Sequence, residues 1–170
     1  MGNILLALPL NFLKQMTNYI GEFDCTVDQK SRMMLPSGLL KQLPKNLKKR
    51  FVINRSVFQK CLVLHPMDSW DETMKQLMKL NRFNKKNDDF IRQYTNGGVL
   101  VDMDSANRLL IPKRLLDYGK IKSDVVLTAS LNKIEIWSSK VYNDVMKNYD
   151  HDAFATLAEE VMGNKTPDEE

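Results

Sequence analysis

One nine-residue pattern occurs twice in this chain. DQKSRMMLP runs from Asp28 to Pro36, and DSANRLLIP runs from Asp104 to Pro112, 76 positions further on. Both follow the skeleton D-x-x-x-R-φ-φ-φ-P, in which φ is an apolar residue, and both continue into a short basic amphipathic stretch. Such a duplication predicts two copies of one structural unit in a single chain.

Each copy is predicted to contain two strands, a helix, two more strands and a second helix. FDCTVD before the first motif and GVLVDMD before the second alternate apolar and polar residues, as half-buried strands do. The apolar run after each arginine predicts another short strand, and each motif's proline predicts a helix start. Further apolar runs predict the remaining strands near residues 51–53, 61–64, 125–127 and 134–136.

The last helix of each copy is predicted from its apolar face and its first residues. Ser69 and Glu72 have the spacing of a capping box, and Ser138 or Ser139 is the predicted cap of the second helix. A linker helix is expected between the copies, ended by Asn96 and two glycines. A short helix is expected after Asp150, followed by an acidic tail that we expect to be disordered.

A unit of roughly 45 to 55 residues buries too little apolar surface to be stable alone. We therefore expect the two copies to pair their sheets about a pseudo-twofold axis and to share one core. The fold class predicted is α+β, with a mainly β core and peripheral helices. The predicted divisions are an N-terminal extension (1–18), repeat 1 (19–80), a linker helix (81–97), repeat 2 (98–149), and a C-terminal helix with an acidic tail (150–170).

The apolar N-terminus does not have the features of an export signal. No positive residue precedes its short apolar run, and no A-x-A-like site follows it. The run is also shorter than the roughly 20 residues of a membrane helix. Met16 is an alternative start, because the recognisable pattern begins at Tyr19. Cys25 and Cys61 lie in apolar runs, so we expect reduced thiols in a cytosolic protein, with a disulfide as the minority alternative.

The net charge of +4 hides an asymmetry between the two halves of the chain. Residues 1–97 carry 16 basic and 8 acidic side chains, whereas residues 98–170 carry 9 and 13. Residues 41–60 contain no acid. Such a run is usually a solvated face, but it is also the pattern that polyanion binding requires. Its basic residues are Lys41, Lys45, Lys48, Lys49, Arg50, Arg55 and Lys60.

No motif in the sequence predicts a catalytic or metal site. There is no Gly-rich phosphate loop, no H-E-x-x-H, no cysteine pair at metal spacing and no G-x-S-x-G. His65 is more simply a hydrogen-bonded structural histidine than a general base, and His151 is expected to be solvated. Asp28 and Asp104 could be a catalytic acid pair, but each has a nearer partner in the arginine four residues on.

The aspartate and the arginine of each motif allow two interpretations. In the first, the aspartate accepts backbone N–H groups and braces the turn, and the arginine forms a surface ion pair of ~0–1 kcal/mol. In the second, the arginine projects from the turn as a planar donor suited to phosphate or to guanine O6 and N7. Both can hold together, with a structural aspartate and a functional arginine.

The doubled motif, followed by INRSVFQKCLVLHPMDSW in the first copy and VVLTASLNKIEIW in the second, resembles the MraZ family of bacterial transcriptional regulators. That family is built from two SpoVT-AbrB-type repeats. The similarity covers residues 19–163. The linker LNRFNKKNDDFIRQY and the C-terminal FATLAEEVMG are most similar to members from the Bacteroidetes lineage.

The resemblance implies a double-split β-barrel of swapped hairpins, assembled into a ring of about eight to twelve identical subunits. It also implies a cytoplasmic, nucleoid-associated repressor that binds direct repeats in double-stranded DNA, in the promoter of the division and cell-wall gene cluster. The family's DNA-contacting arginines correspond to Arg32 and Arg108, and its aspartates to Asp28 and Asp104. No cofactor, metal, membrane or small-molecule substrate is expected.

The sequence departs from the family pattern before each arginine, where glycine is usual. Ser31 and Asn107 stand there, and asparagine adopts a positive φ more readily than serine. We therefore expect the first turn to be reshaped or strained, which favours Arg108 as the better geometric match. The positive charge of the first half favours Arg32 and Lys30 instead. The alternative function is a ring-forming scaffold or protein-interaction module that binds polyanions without sequence preference.

Overall fold

The computed structural model describes residues 18–44 and 49–163. The predicted order of elements is confirmed, with two strands, a helix, two strands and a helix in each copy. In chain order the elements are β1 (Glu22–Thr26), β2 (Arg32–Met34), α1 (Ser37–Leu40), β3 (Arg50–Arg55), β4 (Leu62–Pro66), α2 (Met67–Leu77), α3 (Lys85–Thr95), β5 (Val99–Asp102), β6 (Arg108–Leu110), α4 (Lys113–Tyr118), β7 (Asp124–Ser130), β8 (Lys133–Ser138), α5 (Ser139–Lys147) and α6 (His151–Met162).

The two copies exchange strands. A six-stranded antiparallel sheet has the order β1-β7-β8-β4-β3-β5, and β2 pairs with β6 in a separate two-stranded sheet. The first strand of each copy thus pairs with the third strand of the other copy, β1 with β7 and β5 with β3. The hairpins β3–β4 and β7–β8 meet through β4 and β8. The fold is therefore α+β, with a mainly β centre to which both copies contribute.

The sheet is not a closed barrel, contrary to the expectation from the resemblance. Strands β1 and β5 lie at the two edges of the six-stranded sheet. The two short strands that could join these edges pair with each other instead. A single β-bridge connects β2 to the residue after β1, Val27 with Met33. A second one connects β6 to the residue after β5, Met103 with Leu109.

One core is shared by the two copies, as their small size requires. Its fully buried side chains alternate along the strands, so that Met33 and Leu109 point inward from β2 and β6. Leu35 and Ile111 follow these strands and are also buried. Both cysteines are unpaired, with Cys61 buried and Cys25 half-buried.

The helix starts differ from the predicted caps. Pro66 occupies the N-cap position of α2 and offers no side-chain hydrogen bond, and Ser69 lies inside the helix. The predicted capping box of Ser69 and Glu72 is therefore wrong, because the proline begins the helix three residues earlier. Ser138 is the N-cap residue of α5, but its side chain makes no capping bond. As predicted, the motif prolines begin α1 and α4.

The linker helix α3 is held against the sheet by a buried polar chain. His65 Nε2 lies 3.0 Å from Asn54 Oδ1, and Asn54 Nδ2 donates to the carbonyl oxygen of Tyr94 at 2.7 Å. Trp70 of α2 packs edge-on against His65 and stacks on Tyr94. Strands β3 and β4 and helices α2 and α3 thus meet at one cluster.

Two further helices have the capping expected of exposed elements. Asn84 accepts a hydrogen bond from the Lys86 N–H at the start of α3, and Asp150 does the same for Asp152 at the start of α6. Among the residues that the structure describes, no helix is long and apolar enough to cross a membrane. The predictions for residues 1–17, Lys45, Lys48 and the acidic tail 164–170 lie outside the described residues.

Candidate nucleic-acid interface

Each motif folds into the same aspartate-braced turn. Asp28 Oδ1 accepts the backbone N–H groups of Lys30 and Arg32, both at 2.9 Å. Asp104 Oδ1 accepts those of Ala106 and Arg108 at the same distance. A carboxylate that accepts two backbone N–H groups braces the turn locally. The aspartates therefore have the structural role of the first interpretation.

The residue before each arginine adopts the left-handed backbone that the missing glycine would favour. Its φ is 61° at Ser31 and 58° at Asn107. The backbone hydrogen bonds also agree, since Ser31 donates to Asp28 at 2.9 Å and Asn107 donates to Asp104 at 3.0 Å. The first turn is therefore not reshaped, and the expected difference between the two copies in backbone geometry is wrong.

Each arginine is paired with the aspartate of its own turn. Arg32 donates to Asp28 Oδ2 through Nε at 2.8 Å and lies within 2.7 Å of the same oxygen through Nη2. Arg108 Nε donates to Asp104 Oδ2 at 2.8 Å. The guanidinium is therefore held in one orientation rather than projecting freely. About a third of each arginine side chain stays exposed.

These contacts lower the pKa of both aspartates. The side-chain hydrogen bond from Arg32 is the main cause at Asp28, and the backbone N–H of Arg108 is the main cause at Asp104. The two carboxylates therefore stay ionised at neutral pH. A guanidinium has five N–H donors, and the aspartate engages only those on its Nε side, so donors on the outer side remain for a ligand.

The two arginines lie on one exposed face of the β2–β6 pair. Arg32 is opposite Leu110, and Arg108 is opposite Met34. Because side chains alternate along a strand, these four residues share a face, and Met33 and Leu109 point into the core. We call this outward surface the ribbon face; its residues are Arg32, Met34, Arg108 and Leu110.

The arginines are diagonal neighbours across the ribbon, which places their positions roughly 7–8 Å apart. Two backbone hydrogen bonds join each turn to the residue that follows the opposite strand. The Ile111 N–H donates to the carbonyl oxygen of Ser31, and the Leu35 N–H donates to that of Asn107, both at 2.9 Å. The backbones of the two turns are therefore linked directly across the β2–β6 pair.

Lys49, from the basic run of the first repeat, lies beside the second motif. The Met103 N–H, one residue before Asp104, donates to the carbonyl oxygen of Lys49 at 2.6 Å. The strand exchange causes this, because β3 pairs with β5. The electrostatic argument that assigned this charge to Arg32 is therefore wrong for Lys49, which flanks the turn of Arg108.

Several other basic residues of the run 41–60 already have protein partners. The expected phosphate contacts in that run are Lys41, Lys45, Lys48, Lys49, Arg50 and Arg55. Arg50 pairs with Asp102 at 2.8 Å. Arg55 and Lys60 lie over the ring of Tyr118, at 4.8 and 4.5 Å from its centroid. Lys41 is exposed at the end of α1. Lys30 is exposed in the first turn itself.

Lys122 is a candidate that the sequence analysis did not select. The Val27 N–H, one residue before Asp28, donates to the carbonyl oxygen of Ser123 at 2.9 Å. Lys122 is exposed and, within the described part of the chain, forms no ion pair. The signal that could have identified it is the repeat itself, since Ser123 stands where Lys49 stands in repeat 1 and Lys122 is the basic residue next to it.

The residues considered for catalysis are occupied by structural contacts. His65 is buried against Asn54, and burial lowers its pKa to about 4. Asp28 and Asp104 each bind their own turn and arginine. Over residues 18–44 and 49–163, no group of three or more histidine, cysteine or acidic side chains could hold a metal. His151 is exposed on α6.

Comparison with known proteins matches the chain along its whole double repeat. The model of the family described as "MraZ protein, putative antitoxin-like" matches residues 19–93 and 95–165. A protein of Flavobacterium psychrophilum named transcriptional regulator MraZ is 47% identical over 154 residues, covering 91% of this chain and 98% of the relative. Its namesake in Christiangramia forsetii is 48% identical, covering 88% and 96%. The Bacteroides fragilis relative of that name is 32% identical, covering 86% and 92%.

Proposed function

Because the chain belongs to the MraZ family, we propose that it is a sequence-specific DNA-binding regulator of transcription and not an enzyme. The observation that carries the proposal is the ribbon face, where two oriented arginines lie diagonally on an exposed two-stranded sheet. The major groove of DNA is about 12 Å wide and admits such a ribbon. The spacing of the arginines, roughly 7–8 Å, fits within that width.

In this proposal Arg32 and Arg108 read base edges. A guanidinium can donate two hydrogen bonds to O6 and N7 of guanine. The ion pair with the turn's aspartate orients each guanidinium before DNA arrives, which reduces the side-chain entropy lost on binding. Asp28, Asp104, Ser31 and Asn107 shape the turns that present the arginines.

Lysines around the ribbon face would contact phosphates and set affinity. Lys30 lies in the first turn. Lys122 lies beside that turn through its neighbour Ser123, and Lys49 flanks the second turn. Lys41 is exposed and stays a predicted contact. Lys45 and Lys48, which lie outside the described residues, stay predictions from the sequence. Arg50 and Arg55 are weaker candidates, because a carboxylate and an aromatic ring already engage them.

One subunit makes few contacts and would bind DNA weakly. We infer that the protein acts as a ring of about eight to twelve subunits, whose neighbours bind successive direct repeats. Binding the second repeat then becomes intramolecular and raises avidity by roughly 10²–10⁴-fold. We further propose that the exchanged strands form the family's swapped hairpins. The direct repeats would lie in the promoter of the division and cell-wall gene cluster. The protein would repress that cluster and would be associated with the nucleoid in the cytoplasm.

Selection of bound sequences from random duplex DNA tests the activity and yields the repeat spacing together. Arg32→Ala and Arg108→Ala should each cost about 1–3 kcal/mol on the selected sequence and relax preference at the bases read. Arg82→Ala is the matched control, since Arg82 pairs with Asp88 away from the ribbon. Unchanged affinity and unchanged sequence preference in both arginine variants would contradict the assignment of Arg32 and Arg108 to base reading.

A second function, a scaffold or interaction module, is favoured by one observation. Helix α6 exposes Phe154, Leu157 and Val161, with more than half of each side chain accessible. A scaffold that meets DNA only through its charge would bind repeat and scrambled duplexes equally at every salt concentration. Preference for the repeat duplex at any salt concentration therefore distinguishes the regulator from the scaffold.

A further inference from the structure

The ribbon face contains two apolar side chains that folding does not require. Of the three apolar residues after each motif arginine, the first and third are buried, and the middle one, Met34 or Leu110, is 58% or 60% exposed. A polar residue would be expected at a solvent-facing position of a half-buried strand. A single exposed apolar residue means little, but here the equivalent position is apolar in both copies.

Each exposed apolar side chain stands directly across the ribbon from an arginine. Leu110 is opposite Arg32, and Met34 is opposite Arg108. A dry contact with another protein surface would have to desolvate both arginine–aspartate pairs, which is costly unless the remaining guanidinium donors gain acceptors there. A DNA groove satisfies both needs, because it offers acceptors to the arginine and an apolar group to its neighbour.

The C5-methyl group of thymine is the apolar group that the major groove presents. We propose that Leu110 and Met34 read thymine, each by packing on the methyl group of a thymine adjacent to the base read by the arginine opposite it. This inference rests on the proposed function and adds specificity residues to it. The site thus pairs a polar contact and an apolar contact, twice, about the pseudo-twofold axis.

The test compares thymine with deoxyuridine, which lacks only the methyl group. A duplex enriched from a random pool by the full-length wild-type protein is synthesised in both forms, and the Kd of each is measured by fluorescence anisotropy. The wild type should bind the deoxyuridine duplex about fourfold more weakly for each methyl contacted, the factor expected for one buried methyl group. The M34A/L110A double variant should bind the two duplexes equally. The single Leu110→Ala variant should lose only the roughly fourfold factor of its own methyl contact and keep that of Met34.

The matched control is M78A/L131A, which removes one exposed methionine and one exposed leucine away from the ribbon. It should discriminate as the wild type does. Enriched sequences without thymine, or equal wild-type binding to both duplexes, overturn the inference alone. A double variant that still discriminates between the duplexes would mean that the protein reads DNA shape, and would overturn the inference. A double variant that changes only the assembled size in sedimentation would assign the two residues to a subunit contact, and would also overturn the inference. If no sequence is enriched from the random pool, the proposed sequence-specific DNA binding is itself wrong.

Discussion

Ser31 and Asn107 share one left-handed backbone conformation, with φ of 61° and 58°. Serine has little intrinsic tolerance for this region, whereas asparagine visits it with more ease. The hydrogen bonds of the turn are nevertheless the same in both copies. The aspartate bracing and the β2–β6 pairing therefore impose the conformation, and Ser31 bears the larger conformational cost.

Ser31→Gly should stabilise the protein by about 0.5–1 kcal/mol, because glycine removes the left-handed penalty but loses more chain entropy on folding. Asn107→Gly should change stability by less. Denaturant unfolding measures both. Ser105→Gly is the control in the second turn, since the φ of Ser105 is not positive, and it should be neutral or destabilising. A loss of stability in Ser31→Gly would show that the serine side chain stabilises the turn.

Asp28→Asn and Asp104→Asn should make stability less sensitive to acid. The pKa of each aspartate is lowered in the folded state, so its stabilising effect is complete above the unfolded-state pKa near 3.9. That effect is lost as the pH falls through the lower folded-state pKa. Urea unfolding between pH 2 and 7 should show a flatter acid limb in each variant. Asp71→Asn, at an exposed position of α2, should leave that limb as in the wild type.

The repeated motif was sufficient to predict the order of elements and the braced turns. It did not predict which strands pair, because β1 or β5 could satisfy its alternating pattern against β3 or β7 equally well. That choice decides which lysine lies near which arginine, as Lys49 shows. The capping box failed for a local reason, since Pro66 begins α2 before Ser69 can cap it.

His65 should make the protein less stable below neutral pH. Burial lowers its pKa to about 4, whereas a histidine in the unfolded chain has a pKa near 6.5. The unfolded chain therefore binds a proton first, and stability should fall between pH 6.5 and 4 by at most about 3 kcal/mol. His65→Gln should remove this slope while keeping an amide to meet Asn54. His151→Gln, at the exposed histidine of α6, is the matched control. An unchanged slope in His65→Gln would contradict the assignment.

The strand exchange predicts that each arginine cooperates with a lysine of the other repeat. Lys122 flanks the turn of Arg32, and Lys49 flanks that of Arg108. Lys122→Gln and Lys49→Gln should each reduce the salt slope of DNA binding by about one, with equal losses on repeat and scrambled DNA. Lys133→Gln, which removes a partner of Glu135 away from the ribbon, should not.

Double-mutant cycles then identify which lysine belongs with which arginine. In the Arg32→Ala background the first turn binds DNA more weakly, and the phosphate that Lys122 contacts is poorly positioned. Lys122→Gln should therefore lose less binding free energy there than in the wild type. Lys49→Gln should keep its full cost in that background and lose it in the Arg108→Ala background. Coupling of Lys49 with Arg32 instead would mean that proximity along the chain, rather than the pairing of β3 with β5, governs how charge reaches the DNA.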